Sequence, residues 1–238
     1  MTNMDNGTRR VLVTGGTAGI GFATAQLLAK KGHKVFICGR DQSRVDAAIG
    51  KLRSFTKDEF VAGSACDIRQ FSEVENMMRL VEENFGGLDI LVNNAGIGTI
   101  ASIEDLAPED WHEMLDVNLT GTFNCTKVAL PLLKKSTHAN IINLGSRAGR
   151  YAFEGGTAYN STKFGLQGFT EALFLDLHKY EIGVSLIAPG TVATGFAGIE
   201  EEDWQLQPDD IAKIIVDQLS NHKRANANWI EIRPGIRR

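Results

Sequence analysis

Short apolar segments alternate with longer segments of helical periodicity along the whole chain. Seven apolar segments predict strands, at residues 10–14, 34–38, 59–63, 88–93, 140–144, 184–188 and 229–232. Helices are predicted between them, at residues 19–31, 42–53, 72–84, 108–133, 157–179 and 208–220. Most of these strands are apolar throughout, which is typical of a parallel sheet covered on both faces. The pattern therefore predicts an α/β fold with a doubly wound, mainly parallel seven-stranded sheet between layers of helices.

Composition favours one ordinary globular domain. The chain has 238 residues, of which 43% are hydrophobic and 23% charged, and no linker or repeat divides it. We predict a flexible N-terminus at residues 1–8 and a single domain over residues 9–238. The 25 basic and 29 acidic residues give a net charge of −4. This balance provides no electrostatic basis for binding nucleic acid or an anionic membrane.

Targeting and metal signals are missing from the sequence. The first eight residues are polar, unlike a signal peptide, and no apolar run approaches the ~18 residues that span a bilayer. A cytoplasmic protein without a membrane partner is therefore expected. Cys38, Cys66 and Cys125 are far apart and have neither CxxC nor zinc-site spacing. They are predicted to be buried free thiols, and no metal site is expected.

A glycine-rich turn directly follows the first predicted strand. Residues 14–21 read Thr-Gly-Gly-Thr-Ala-Gly-Ile-Gly, and a helical pattern begins within them. Glycines let the backbone turn sharply and let a pyrophosphate approach without meeting a Cβ, while a helix N-terminus offers unpaired N–H groups. The spacing Gly-x-x-x-Gly-x-Gly is a variant of the dinucleotide fingerprint. It predicts a Rossmann-type dinucleotide site, with a plain strand-to-helix turn as the alternative.

The end of the second predicted strand bears on which dinucleotide is bound. NAD-specific proteins carry an acidic residue there for the ribose 2′-hydroxyl, whereas this chain has Gly39 followed by Arg40. A guanidinium can bind a 2′-phosphate through charge-assisted hydrogen bonds. Asp41 is the competing residue, but its context is more typical of a helix N-cap. NADP(H) is therefore predicted over NAD(H).

Tyr159 and Lys163 are four residues apart in a predicted helix, so their side chains share one face. A tyrosine has a pKa near 10 and is a poor base at neutral pH, but a neighbouring ammonium stabilises the phenolate. Tyr159 could then exchange a proton with a carbonyl oxygen as hydride is transferred. A solvated helix face is the alternative interpretation of this pair.

Two further polar residues, Ser146 and Asn118, lie at positions that suggest a role in the site. Ser146 follows the fifth strand, at the edge where ligand crevices form in such sheets, and its hydroxyl could hold a substrate oxygen. Asn118 falls inside the long predicted helix, where asparagine is a mediocre helix former. It could be a satisfied polar residue that bends the helix, or it could supply a carbonyl or water that links Lys163 to solvent.

Taken in order, these motifs resemble the short-chain dehydrogenase/reductase family over about residues 9–220. The matches are the 14–21 turn, the sequence Asn-Asn-Ala-Gly at 93–96, Asn118, Ser146 thirteen residues before Tyr159, Lys163, and Pro-Gly-Thr-Val-Ala-Thr at 189–194. The ending at 228–238, which contains Ile-Arg-Pro, resembles a subgroup of sepiapterin-reductase-like and carbonyl-reductase-like enzymes.

The resemblance implies a role for each matching position. Asn118, Ser146, Tyr159 and Lys163 would form a catalytic tetrad, whereas Asn93 would stabilise the sheet. Asp67 would contact adenine, residues 94–96 the adenosine side, and residues 189–194 the nicotinamide. The cofactor-binding set it implies is Gly15, Thr17, Gly19, Ile20, Arg40, Asp67, Ile68, Asn94, Ala95, Gly96, Tyr159, Lys163, Pro189, Gly190, Val192 and Thr194.

The sequence indicates less about the substrate than about the cofactor. Residues 195–207 are short for an active-site lid and carry an acidic run at 200–203, which is either a solvated face or a feature that disfavours anionic substrates. Phe196 and Trp204 flank this run and could contact substrate or simply pack on the domain. Tyr151, Phe153 and the lid form an apolar wall, which favours a small-molecule ketone or aldehyde of modest polarity.

The leading hypothesis is an NADP(H)-dependent reductase of ketones or aldehydes, with alcohol oxidation as its reverse. A 3-oxoacyl-thioester reductase is the alternative enzyme, and a non-catalytic dinucleotide-sensing regulator is the alternative of another class. The two long helices resemble those that form homodimers and homotetramers in the family. Their outward apolar positions are predicted to be Phe164, Phe169, Leu173 and Leu177, with burial against the sheet as the other interpretation.

Overall fold

The computed structural model describes residues 7–221 and 224–236; apart from residues 7 and 8, the predicted flexible N-terminus lies outside these ranges. Seven strands form one parallel sheet in the order β3-β2-β1-β4-β5-β6-β7. Their bounds are β1 Arg10–Thr14, β2 Lys34–Gly39, β3 Val61–Ala65, β4 Ile90–Asn93, β5 Asn140–Leu144, β6 Gly183–Pro189 and β7 Trp229–Ile232. The predicted fold class and strand number are confirmed.

Within the described residues, seven α-helices cover the two faces of the sheet. They are α1 Gly19–Lys30, α2 Gln42–Arg53, α3 Phe71–Phe85, α4 Pro108–Leu115, α5 Thr122–Leu133, α6 Thr157–Leu177 and α7 Pro208–Gln218. Successive strand side chains point to opposite faces, and here both faces are apolar: Leu12 joins the core under α3, α5 and α6, whereas Val11 and Val13 join the core under α1, α2 and α7. Burial on both faces explains why the strands lack polar alternation.

Two predicted elements differ in detail from the structure. The third strand begins two residues later than predicted, because Asp58–Phe60 form a 3₁₀ turn first. The predicted helix 108–133 is continuous, but Asp116–Gly121 between α4 and α5 form a π turn. Such turns widen a helix locally and are frequent at functional sites. Asn118 lies in this turn, so the helix is irregular at the residue that the sequence analysis singled out as a mediocre helix former.

The prediction that four apolar side chains of α6 face outward is partly wrong. Leu173 and Leu177 are buried in the protein's own core and Phe169 packs against it, whereas Phe164 is exposed. The sheet, α4 and the π turn cover much of α6, which is why Phe169, Leu173 and Leu177 are buried or partly buried. Phe123 of α5 is also exposed.

An ion pair fastens the amino-terminal edge of the sheet, opposite to the edge that carries the motifs. Asp89 accepts hydrogen bonds from the Arg10 guanidinium at 2.6 and 2.9 Å and from Ser136 at 2.7 Å. Burial by itself raises the pKa of Asp89, but the hydrogen bonds from Arg10 and Ser136 outweigh it and hold that pKa below its ordinary value. The carboxylate therefore stabilises the start of β1 in its charged form.

Within the described ranges, no helix combines the length and apolar character needed to cross a bilayer. The same residues contain no group of three or more histidine, cysteine or acidic side chains positioned to hold a metal ion. The three cysteines are buried and free, as predicted.

Candidate active site

A cleft of about 770 Å³ opens at the carboxyl-terminal edge of the sheet. Its walls come from the segments that follow β1, β4, β5 and β6, which lie side by side in the middle of the sheet. The residues of the predicted site that line it are Gly15, Gly19, Ile20, Asn94, Ala95, Gly96, Ser146, Tyr159, Lys163, Pro189, Gly190, Val192 and Thr194. Residues far apart in sequence are thus brought into one cavity, of a size typical for small-molecule sites.

Three glycines of the glycine-rich turn stand where a side chain would be strained or would overlap the backbone. Gly15 and Gly19 have φ of 62° and 52°, in the left-handed region that favours glycine. A Cβ at Gly21 would overlap the Gly15 carbonyl oxygen. Helix α1 begins after Ala18 with no side-chain cap and no acidic residue in its first turn. The turn thus leaves free N–H groups at the positive end of a helix, which fits a dinucleotide pyrophosphate.

Asn93 and Asn94 hold the strands beneath this turn. The Asn94 side-chain amide donates to the carbonyl oxygens of Thr14 and Gly15 at 2.8 and 3.1 Å. Asn93 donates to Asn143 at 2.9 Å and to Thr126 at 3.1 Å, which confirms its predicted role in the sheet. The Asn94 side chain therefore shapes the turn, a contribution that its sequence motif did not reveal.

Tyr159 and Ser146 meet on one wall of the cleft. The Ser146 hydroxyl oxygen accepts a hydrogen bond from the Ala148 backbone at 3.1 Å, which leaves its own proton free to donate. Burial raises the pKa of Tyr159 above its ordinary value, and a polar contact with Ser146 offsets part of that increase. Tyr159 is therefore a protonated phenol at neutral pH. Its ring packs against Phe196, with 5.6 Å between the ring centroids.

Lys163 lies one helical turn from Tyr159 and is 6% exposed. Its Nζ atom is 5.7 Å from the centre of the Tyr159 ring and donates to the Leu144 carbonyl oxygen at 2.9 Å. Burial lowers the pKa of Lys163 to about 8. The side chain still carries its charge at neutral pH, so it can stabilise a phenolate at Tyr159.

Asn118 clamps the backbone beside Lys163 and does not line the cleft. Its side-chain oxygen accepts from the Ile97 N–H at 2.9 Å, and its side-chain nitrogen donates to the Ile97 carbonyl at 2.9 Å and to Thr162 at 3.1 Å. A Cβ at Gly96 would lie 3.3 Å from the Asn118 side-chain oxygen and 3.9 Å from Lys163 Nζ. The side chain is satisfied internally, as the simpler interpretation of the sequence expected.

Four charged residues meet beyond the cleft, at the ends of β2 and β3. Arg40 lies 3.3 Å from Glu113 of α4, and Arg69 lies 3.5 Å from the same carboxylate. Asp67 is paired with Arg69 at 2.6 Å, so its carboxylate is already engaged. Asp41 caps α2 by accepting from the Arg44 N–H at 3.1 Å, which confirms the predicted N-cap.

The remaining two predicted cofactor residues also lie outside the cleft. A Cβ at Gly39 would lie 3.0 Å from the Thr17 methyl carbon, which places Thr17 next to the end of β2. Ile68 is 6% exposed, and its side chain packs where a Cβ at Gly121 would be. Any contact between Ile68 and a cofactor must therefore come from its backbone.

The part of the cleft that was predicted to face the substrate is apolar and aromatic. Tyr151, Phe153, Phe196, Ile199 and Ile100 all line it, which confirms the predicted wall; Trp204 does not. Sequence reasoning missed Arg147, which also lines the cleft. Its position directly after Ser146 was the available signal. Glu113 and Arg69 were missed too, because no local pattern connects them with Arg40.

The comparisons with known proteins agree with this geometry. The profile of the family described as short chain dehydrogenase matches residues 9–204. An uncharacterised oxidoreductase of Staphylococcus saprophyticus is 34% identical over 227 residues, which cover 94% of this chain and 96% of that protein.

Solved structures are similar over nearly the whole chain. An alcohol dehydrogenase of the archaeon Thermococcus sibiricus, complexed with 5-hydroxy-NADP, has a TM-score of 0.89 and 26% identity, covering 98% of this chain and 99% of that one. A serine dehydrogenase complexed with NADP⁺ has a TM-score of 0.85 and 31% identity, covering 93% of both chains. This chain therefore belongs to the short-chain dehydrogenase family and is an oxidoreductase.

Proposed function

We propose that this protein is an NADP(H)-dependent reductase of ketones or aldehydes, with alcohol oxidation as the reverse reaction. The observation that carries the proposal is that Ser146, Tyr159 and Lys163 line one cleft together with the glycine-rich turn at the start of α1. When bound, the dinucleotide supplies the hydride in reduction or accepts it in oxidation. The ending at β7 is consistent with a carbonyl-reductase-like subtype.

Each of the three side chains has a distinct task in this proposal. The Ser146 hydroxyl donates to the substrate oxygen and orients it. The Tyr159 phenol donates its proton to that oxygen as the carbonyl carbon gains the hydride, so the C=O π electrons become the new O–H bond. The Lys163 ammonium stabilises the phenolate that is left behind. Asn118 acts as a positioning residue, because it holds the loop beside Lys163 and not the substrate.

The cofactor residues divide along the cleft. The N–H groups of Gly15, Gly19 and Ile20 would bind the pyrophosphate, and residues 94–96 would line the adenosine side. Lys163 would also bind the nicotinamide ribose, and residues 189–194 would hold the nicotinamide. Arg40 is the group available for a 2′-phosphate.

Three observations support NADP(H) over NAD(H). Asp41 accepts hydrogen bonds from Ser43 and Arg44 as the cap of α2, so its carboxylate is engaged with its own helix. The Arg40 side chain is 59% exposed, and its partner Glu113 is exposed too; such pairs contribute little and exchange readily for a phosphate. Both solved relatives named above were complexed with NADP-type cofactors.

Titration with NADPH and NADH tests the cofactor choice. We expect NADPH to bind at least 10-fold tighter, and Arg40→Ala to weaken NADPH binding by roughly 10- to 100-fold while leaving NADH within about twofold. Arg53→Ala, at the exposed end of α2, is the matched control. Tighter binding of NADH by the wild type would contradict the proposal and make Asp41 the residue that selects the cofactor.

Turnover on a panel of ketones and aldehydes tests the reaction. We expect NADPH consumption with at least one carbonyl compound, and a loss of roughly 10²- to 10⁴-fold in Tyr159→Phe with cofactor binding retained. Tight cofactor binding without turnover on any carbonyl would instead support the non-catalytic regulator.

Self-association is also part of the proposal. The exposed Phe164 and Phe123 place apolar surface on α6 and α5, the helices expected to form a homodimer or homotetramer. Analytical ultracentrifugation at micromolar concentration should give a species of at least twice the protomer mass. A monomer under those conditions would refute this part.

A further inference from the structure

Three arginines converge on Tyr151 at the substrate side of the cleft. Tyr151 lines the cleft and is 44% exposed. The guanidinium carbons of Arg147, Arg150 and Arg233 lie 5.2, 5.8 and 5.6 Å from the centre of its ring. These distances are within the range of cation–π attraction, so the ring holds three cations close together.

The positive charge of this cluster is only partly balanced. The Glu231 carboxylate is the negative charge that contacts this cluster. It accepts a hydrogen bond from Arg233 Nε at 2.5 Å and lies 3.3 Å from Arg147 Nε. The second of these contacts is an ion pair without hydrogen-bond alignment, and Arg147 Nε is a buried donor with no hydrogen-bond partner among the described residues. Within the same ranges, Arg150 forms no ion pair, and neither does Glu154, the nearest acid along the loop.

Arg147 connects the cluster with the reacting groups. It directly follows Ser146 and lines the same cleft as Tyr159. A Cβ at Gly190 would lie 3.5 Å from the Arg147 side chain, so the guanidinium stem runs along the segment after β6. Three positive charges against one negative charge, at the rim of a cleft with apolar walls, attract an anion into the cleft.

We propose that this cluster, Arg147 first among its members, binds an anionic group of the substrate. The substrate is therefore a carbonyl compound or alcohol that also carries a carboxylate or a phosphate ester. A guanidinium binds either group through two parallel charge-assisted hydrogen bonds. This inference rests on the proposed function, and it argues against the expectation that the acidic run at 200–203 disfavours anionic substrates.

Matched pairs of substrates isolate the effect of the substrate's negative charge on kcat/KM. One pair is 3-oxobutanoate and its methyl ester, and the other is dihydroxyacetone phosphate and dihydroxyacetone. The readout is the ratio of kcat/KM between the anionic and the uncharged member of each pair. We expect a ratio of at least 10 in the wild type for one pair, and that pair identifies the anion as a carboxylate or a phosphate ester.

Variants then assign the preference to the cluster. Arg147→Gln should lower the ratio by roughly 10- to 100-fold, the range for a lost charge-assisted contact, and Arg147→Lys should retain part of it. Arg150→Gln removes an arginine without an ion pair and should lower the ratio by a smaller factor. The surface variant Arg53→Gln should leave the ratio unchanged. NADPH affinity is measured in each variant, because an effect through the cofactor would change it.

A binding measurement separates this inference from the proposed reaction. The protein saturated with NADP⁺ is titrated with butanoate and with butanamide, neither of which is reduced. Butanoate should bind at least 10-fold tighter than butanamide in the wild type, and Arg147→Gln should abolish the difference. Equal binding, or a preference that survives in Arg147→Gln, overturns the inference. Absence of turnover on every carbonyl overturns the proposed function and leaves this titration to decide the anion site.

Discussion

Replacing Lys163 with methionine should stabilise the cofactor-free protein while removing its activity. The Lys163 side chain is 6% exposed, and its Nζ atom makes one hydrogen bond, to the Leu144 carbonyl. No carboxylate within the described residues forms an ion pair with it. A charge buried in this way costs stability, and methionine fills a similar volume with a flexible apolar chain.

The magnitude follows from the pKa of Lys163. The difference between its ordinary value of 10.5 and about 8 corresponds to roughly 3 kcal/mol of destabilisation in the charged form. The variant also loses the hydrogen bond to Leu144 and leaves that carbonyl without it, which offsets about 1–2 kcal/mol. The free energy of unfolding should therefore rise by about 1–2 kcal/mol at pH 7.

The same pKa fixes the direction of the pH dependence. Because the folded pKa is lowered, the unfolded chain binds more protons than the folded protein between pH 8 and 10.5. The stability that Lys163 contributes to the wild type therefore rises across that window and is constant below it. The advantage of Lys163→Met should shrink as the pH rises from about 8 and should be unchanged between pH 6 and 7.5.

Urea unfolding of cofactor-free protein at pH 7 and pH 9.5 measures both effects. Lys127→Met, an exposed lysine on α5, is the matched control and should change stability by less than about 0.5 kcal/mol at either pH. The reasoning is refuted if Lys163→Met is less stable than the wild type at pH 7, or if its advantage does not shrink at pH 9.5.

Three further predictions follow from particular contacts. Gly21→Ala should lose dinucleotide binding and about 1–3 kcal/mol of stability, because its Cβ would overlap a carbonyl of the glycine-rich turn. Fluorescence titration and thermal unfolding check this, and wild-type affinity would contradict it. Asp89→Asn should cost roughly 2–3 kcal/mol at pH 7 through its pair with Arg10. Because the pKa of Asp89 is lowered in the folded state, this difference should begin to shrink as the pH falls below the ordinary carboxyl value of about 4 and should vanish below the lowered folded pKa. Urea unfolding across that range checks this, and a difference that stays constant would contradict it. Glu113→Gln should tighten NADPH binding severalfold by releasing Arg40, and parallel titration with NADH, which has no 2′-phosphate, should show no gain.

Local sequence patterns were sufficient for the fold and for the order of the motifs. Val11, Leu12 and Val13 read as one buried strand because each face of the sheet is covered by helices. Asp41 was identifiable as a cap because a cap satisfies backbone groups within its own helix. These features depend on residues a few positions away, so they can be predicted from the local sequence.

Contacts between distant segments could not be predicted in the same way. Arg40 meets Glu113 across 73 positions, and no periodicity links β2 with α4. Tyr151 meets Arg233 because β7 lies beside β6. The burial of Lys163 against Leu144 likewise depends on how α6 docks on β5. The charge balance and the pKa values of the site could therefore be determined only from the folded structure.

Transfer of deuterium from NADPH that carries deuterium at both hydrogen positions of nicotinamide C4 is the most direct test of the central claim. After incubation with a ketone and the wild-type protein, mass spectrometry and NMR of the alcohol locate the label. We predict deuterium on the carbinol carbon, with formation of labelled alcohol lost in Tyr159→Phe although cofactor still binds. An alcohol without deuterium, or labelled alcohol formed equally fast by Tyr159→Phe, would contradict the account.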